Sequence, residues 1–281
     1  MSYKFRVSSL TVDVEEWFHV LNDPAVPDIA SWNNLESRLE ANIERLLSLF
    51  AKYRVCTTMF WLGWAAERNK KLMRCCHRAG HEIASHGYGH VLAYHVGRKK
   101  FFEDILRGKK VLEDIIGEKV SGFRAPGFGI KDETTWAFDV IKEVGYEYDS
   151  SVFPGPRGHG GMLKSSLEPY VIKTSCGPLP ELSMSIVEFM GRHFCLFGGG
   201  YLRLSPKWLI HMGIKHLHSN GRPFILYIHP REIDPEHPRL PLSPFRRFKS
   251  YANLKTTLPK LEWLCRDFKF ITMRELAEQL K

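Results

Sequence analysis

Five short segments place ionisable side chains where apolar runs end: Thr11-Val12-Asp13-Val14-Glu15-Glu16-Trp17, Ser85-His86-Gly87-Tyr88-Gly89-His90, Arg124-Ala125-Pro126, Asp149-Ser150-Ser151 and Tyr227-Ile228-His229-Pro230. Together they offer carboxylates to hold a cation or take a proton, imidazoles to ligate or donate, and a guanidinium to pair with an anion. Asp13 and Glu15 are two apart, so on an extended strand they project to one face and Glu16 to the other. His86 and His90 are four apart, and Gly87 and Gly89 allow a bend tight enough to bring both imidazoles to one ion. Two His and a carboxylate suit a catalytic zinc ion, with one coordination position left for water. The H-x-x-x-H spacing alone also fits two unrelated surface histidines in a chain with 13 His. The acidic pair and the shared strand-end placement favour the metal reading.

Rival motifs fail on spacing. His81-Glu82 begins like H-E-x-x-H, but the next histidine, His86, is five positions on and would not share a helical face. Gly198-Gly199-Gly200 is followed by Tyr201 without the Gly-Lys-Ser/Thr of a phosphate loop, and no G-x-S-x-G elbow offers a serine nucleophile.

The elements that must carry these groups alternate between short β-rich runs and helical periods, the pattern of βα units around a mostly parallel sheet, in which reactive groups gather at the carboxyl ends of the strands. The expected strands are Phe5–Val12, Val55–Leu62, Glu82–Ser85, Val120–Phe123, Tyr146–Tyr148, Phe224–Ile228 and Phe268–Ile271. These seven suit either a barrel or a wide open sheet. Expected helices show an apolar stripe from Leu35 through Leu39, Ile43, Leu46 and Leu47 to Phe50, and a second over Phe101–Ile116. A third runs from an Asp132 N-cap to Gly145, a fourth from Ser205-Pro206 to Gly221, and the last opens on a Thr272-x-x-Glu275 capping box. A Gly/Pro-rich excursion at about 150–200 holds one strand pair, within a single domain spanning 1–281.

The 281 residues, 44% hydrophobic and 25% charged, suffice for one enzyme-sized body with a substantial core. No run reaches the ~18 apolar residues of a membrane helix, and no secretory signal precedes the first acidic residues, so a cytoplasmic location is expected. The six cysteines form no C-x-x-C pair and read as reduced and structural. A net charge of +9 favours anionic partners. Nucleic acid is not expected, since no binding motif accompanies the charge. The run Arg246, Arg247, Lys249 with Phe245, Phe248 and Tyr251 interleaved reads as a solvated face that could also touch a phosphate-bearing substrate or a membrane surface. Trp17, Phe18 and Tyr88 lie beside the charged motifs, where rings can stack on sugar faces. Trp61 and Trp64 read as core, and Tyr201 as a groove residue.

TVDVEEW, SHGYGH, FRAPGF, YDSSVFP and LYIHP, in this order and over most of the chain from Thr11 to His229, resemble the polysaccharide deacetylases, carbohydrate esterase family four. FGGGYLRLSP and HPREIDPEHPRL resemble the branch associated with bacterial exopolysaccharide and exosortase gene clusters. The resemblance implies a distorted (β/α) barrel and metal-dependent removal of N-acetyl groups from amino sugars in bacterial surface polysaccharide or lipopolysaccharide assembly. The sugar partner would be carried on a nucleotide or lipid in the cytoplasm. It implies Asp13 as general base, Glu15, His86 and His90 as ligands of a divalent ion such as zinc, Arg124 as orienter of the base, and His229 as general acid. Asp149 would tune that acid, and Trp17, Tyr88 and Pro126 would contact substrate. Two positions depart from the family pattern: Val14 stands where a second aspartate is commonest, which transfers the ligand role to Glu15, and Phe128 replaces a glycine. Two other functions remain: hydrolysis of small cyclic amides or imides on a related barrel, and carbohydrate binding without catalysis.

Overall fold

A computed structural model describes residues 7–21, 23–155 and 160–280. The strands are β1 (Ser8–Val14), β2 (Thr58–Trp61), β3 (Glu82–Ser85), β4 (Gly122–Phe123), β5 (Tyr148–Asp149), β6 (Tyr170–Thr174), β7 (Gly177–Glu181), β8 (Val187–Phe189), β9 (Arg192–Phe194) and β10 (Phe224–Ile228). Eight form one sheet in the order β10-β1-β2-β3-β4-β5-β7-β6, parallel throughout except for the antiparallel β6–β7 hairpin, while β8 and β9 pair separately. The hairpin lies in the Gly/Pro-rich excursion. Phe5 and Arg6 of the expected first strand fall outside the described residues.

The sheet curls into an open, distorted barrel whose gap is bridged by side chains. Beyond β7, Ser185 Oγ donates to Pro223 O (3.0 Å) and accepts from Ile225 N (2.8 Å), and Arg222 Nη2 donates to Ile186 O (2.8 Å). The expected strand Phe268–Ile271 is a correction: it makes only an isolated bridge, Phe270 to Ser8. β10 occupies one edge of β1 over Ser8–Val12 and β2 the other over Thr11–Val14, so only the start of β1 has an edge left to offer.

Helices α1 (Leu39–Tyr53), α2 (Gly63–Arg68), α3 (Lys70–Arg78), α4 (Ala93–Ile116, interrupted at Gly97), α5 (Trp136–Glu143), α6 (Gly199–Leu204), α7 (Lys207–Ser219), α8 (Pro244–Tyr251), α9 (Thr257–Asp267) and α10 (Met273–Glu278) complete the fold. The α1 stripe buries Leu39, Ile43, Leu46 and Phe50, each contributing about 1.5–3 kcal/mol. α1 begins later than Leu35, and α4 earlier than Phe101. Asp132 opens a 3-10 turn, so α5 starts at Trp136, and Pro206 caps α7 in place of Ser205.

The capping box of α10 forms as expected, Glu275 N donating to Thr272 Oγ1 (3.2 Å) and Thr272 N to Glu275 Oε2 (2.7 Å). It sets α10 against the amino ends of the strands, where Met273 N meets Thr58 Oγ1 (2.7 Å) and Arg274 N meets Glu82 Oε2 (3.0 Å). Met273, Leu276 and Ala277 pack there with the barrel interior, Phe60, Tyr148 and Ile225. His81 and Glu82 therefore belong to the plugged end, and the opposite, carboxyl end is left for a site. All six cysteines are free, and among the described residues no helix is long and apolar enough to cross a membrane.

Candidate active site

At the carboxyl end, Glu15, His86 and His90 are buried and place one ligand atom each within 4.8 Å of one another. His86 Nδ1 lies 2.7 Å from Arg124 O, and a carbonyl can only accept, so the proton is on Nδ1 and the Nε2 lone pair is available to the cluster. Burial holds His86 down to about 4, keeping it neutral as a ligand must be. His90 Nε2 and Glu15 Oε2 are 2.6 Å apart, yet hydrogen-bond geometry is not met and Oε2 is buried without a partner. Such crowding of unsatisfied donor atoms fits a shared divalent cation. Burial works to raise the Glu15 carboxyl, but the neighbouring His90 and His229 outweigh it and hold it well below the usual range.

The loop that presents the two histidines is held by Asp104 of α4, which the sequence reading missed. Its carboxylate accepts from Tyr88 N (2.9 Å) and Gly89 N (2.8 Å). Gly87 turns there with φ +77°, and a Cβ would meet Asp104 Oδ2 at 2.8 Å, so glycine is required.

Asp13 comes from β1 and Glu15 from the turn that follows, where Glu15 N donates to Asp13 O (3.1 Å). Both face the cleft. Glu16 points away, accepting from the Ser37 hydroxyl and from Arg38 N (3.1 Å). Arg124 is fully buried: its Nη1 donates to Asp13 Oδ1 (2.6 Å) and Thr11 Oγ1 (2.7 Å), its Nη2 to Ser150 Oγ (3.1 Å), and its guanidinium lies 4.0 Å from the Phe60 ring centre. Asp13 is thereby fixed in orientation.

His229 lies opposite, Nε2 at 3.4 Å from Glu15 Oε1 and 3.9 Å from Asp13 Oδ2. Its Nδ1 is 3.6 Å from Glu232 Oε2, and Glu232 is paired with Arg203 at 2.5 Å. Burial works to lower the His229 imidazole, but Glu15 and Glu232 prevail and raise it. Burial also opposes the charge on Glu232, which Arg203 and His229 nevertheless hold down at about 2. His19 is a further buried imidazole, its ring tilted against that of His90 at 5.6 Å among Trp32 and Trp64, with Nδ1 accepting from Glu16 N (3.2 Å).

Four expected positions are corrected. Asp149 does not reach His229; fully buried, it accepts from Ser151 Oγ (2.6 Å) and pairs with Glu181, while Glu232 takes the place beside His229. The Asp149–Glu181 couple holds a proton, because burial pushes both carboxyls up, Glu181 furthest. The signal for Glu232 was the His229-Pro-Arg-Glu232 spacing, one turn that returns a carboxylate to the histidine. Trp17 is core, its Nε1 donating to Glu36 O (2.9 Å) and its ring edge-on to Phe18. Tyr88 is buried away from the cleft beneath the Arg107 guanidinium, 3.4 Å from the ring centre, with its hydroxyl donating to Glu67 (2.7 Å). Pro126 is buried in a 3-10 turn, and its neighbours Gly127 and Phe128 reach the cleft instead.

These groups open into a cleft of about 570 Å³, whose wall includes Tyr201 of α6 and Phe245, Arg246 and Lys249 of α8. A divalent ion would be held by Glu15, His86 and His90, with Asp13 and His229 on either side.

Residues 30–148 match the family model "Polysaccharide deacetylase", and 150–278 match one described as a domain of unknown function, DUF3473. His86, His90 and Arg124 fall in the first segment and His229 in the second. The peptidoglycan deacetylase of Helicobacter pylori is 30% identical over 113 residues, 40% of this chain and 38% of that protein. The peptidoglycan-N-acetylglucosamine deacetylase of Bacillus cereus is 35% identical over 103 residues, 37% of this chain and 46% of that protein. The matches thus span less than half the length of these curated relatives.

Among solved structures, one from Mycobacterium smegmatis assigned to the polysaccharide deacetylases superposes with a TM-score of 0.64 at 21% identity, covering 100% of this chain and 92% of that one. An allantoinase superposes at 0.61 with 18% identity, covering 98% of this chain and 90% of that one. At these identities the likeness establishes the distorted barrel alone. With the barrel, the ordered motifs and the two adjoining family matches in agreement, the chain is similar to the polysaccharide deacetylases over residues 30–148.

Proposed function

We propose that the protein is a metal-dependent hydrolase that removes acetyl from the nitrogen of an amino sugar during assembly of a bacterial surface polysaccharide or lipopolysaccharide. The observation that carries this reading is the meeting of Glu15, His86 and His90 donor atoms within 4.8 Å, beside an Asp13 that is not part of the cluster. Zinc suits the two-imidazole, one-carboxylate set; bound there, it would polarise the acetamide carbonyl and lower the pKa of a water.

The chain's own groups supply the proton transfers. Asp13, held by Arg124, accepts the proton of the attacking water. His229, kept protonated by the Glu15 and Glu232 carboxylates against the effect of burial, donates to the departing amine nitrogen. Gly127, Phe128 and Tyr201 line the wall that receives the sugar. Acetate release is to be assayed on N-acetylated sugars and on a cyclic amide, before and after complete metal removal and after zinc is restored. Loss and recovery on the sugars is the expected result; activity that persists without metal, or that is confined to the cyclic amide, overturns the reading.

A further inference from the structure

The cleft is lined by three carboxylates, Asp13, Glu15 and Glu232, and four cations, Arg203, Arg231, Arg246 and Lys249. Most of these charges are matched. Asp13 pairs with Arg124, Glu232 with Arg203 (2.5 Å), Glu15 meets His90 and His229, and Arg246 reaches Asp23 (3.4 Å). Arg231 and the exposed Lys249 are the exceptions, and of the two only Arg231 has buried polar atoms. It is two residues from His229, and its Nε and Nη1 are buried without a hydrogen-bond partner. Its charge is felt by Glu15, His229 and Glu232, yet it forms no ion pair with any of them among the described residues. Arg231 is half-buried, but withdrawing two nitrogens of a guanidinium from water without a partner is costly, and an oxyanion is the ligand whose shape and charge match its fork of donors. Lys249, exposed at the mouth of the same cleft, adds a second cation on the approach.

We propose that Arg231 is the centre of an anion subsite in this cleft, and that the sugar accepted there carries a phosphate ester or a carboxylate close to its acetamido group. The anion completes the coordination of Arg231 and sets the sugar in register with Asp13 and His229. This deepens the deacetylase reading and rests on it for the identity of the sugar; the subsite itself is tested by binding.

The test is calorimetric titration of the metal-free full chain, so that no metal ion can hold the anion, with three probes: N-acetylglucosamine, N-acetylglucosamine 1-phosphate and N-acetylmuramic acid. At least one charged probe should bind about 10- to 100-fold more tightly than the neutral sugar at low salt, with the margin narrowing as salt rises. Arg231→Met should remove the margin and leave neutral-sugar binding and zinc uptake unchanged, and Arg231→Lys should restore part of it. The tighter of the two charged probes identifies the source of the anion. Equal binding of neutral and charged probes by the unaltered protein, or a margin that survives Arg231→Met, overturns the subsite. Should Arg231→Met not fold, Arg231→Lys and the salt dependence decide the matter. A charge preference accompanied by no acetate release from any probe under zinc would instead overturn the deacetylase reading and leave the subsite standing.

Discussion

Arg124–Asp13 and Arg203–Glu232 are both buried arginine–carboxylate pairs on the rim of one cleft, and they do different work. In the first, the carboxylate itself faces the reacting space, and the arginine, fully enclosed by Thr11, Ser150 and Phe60, fixes its direction. In the second, the carboxylate is an intermediary: Arg203 keeps Glu232 ionised, and Glu232 in turn favours charge on His229. One device would therefore serve the proposed proton acceptor on the β1 side and the proposed proton donor on the β10 side. The first half is assembled from strand ends distant in sequence, whereas His229, Arg231 and Glu232 lie within one short turn.

Breaking the β1 side at the cluster should have the largest effect. His86→Ala removes a donor atom, so on the proposed reading bound metal and acetate release should both fall to background, read on the same preparation. On the β10 side, His229→Ala should lower turnover by about 10²–10⁴ while metal content stays intact; loss of the metal would show that His229 belongs to the cluster. A smaller effect isolates the intermediary. Glu232→Gln withdraws one of the two carboxylates that raise His229, so its pKa falls. The protonated donor is then lost at lower pH, and the alkaline limb of the kcat/KM profile moves toward acid.

Behind Arg124, the Asp149–Glu181 couple makes a stability prediction. The folded-state pKa of Glu181 lies well above its unfolded value, so its contribution is fully present below the ordinary carboxylate range and is lost as pH rises through the raised pKa. Glu181→Gln should flatten that decline, gaining on the unaltered protein as pH increases in denaturant titrations. The smallest effect tests a correction: Tyr88→Phe should leave KM within about twofold, because the ring lies away from the cleft, with about 1 kcal/mol lost as the hydroxyl gives up its bonds to Glu67 and Arg107.

The meeting of Glu15, His86 and His90 was legible because its signals are local. A two-residue spacing aims Asp13 and Glu15 together, and a glycine-flanked H-x-x-x-H can bend onto one ion. The βα alternation and the capping box of α10 were legible for the same reason, since each is written within one or two turns of chain. Asp149 and Trp17 were misread because a carboxylate or a ring beside a motif looks the same whether it faces the cleft or the core. The seventh expected strand was misread because its sequence cannot show that all but the start of β1 was already paired on both edges.

The sequence by itself determined the repeating βα pattern, the donor types and the short turns that aim them. The tertiary structure alone decided which carboxylate stands beside His229, which arginine is left without a partner, and which aromatic rings are walls and which are core. Those outcomes depend on burial and on contacts between residues more than two hundred positions apart, and the energy of a buried charge is set by the neighbours that fold around it, not by the residues that flank it in the chain.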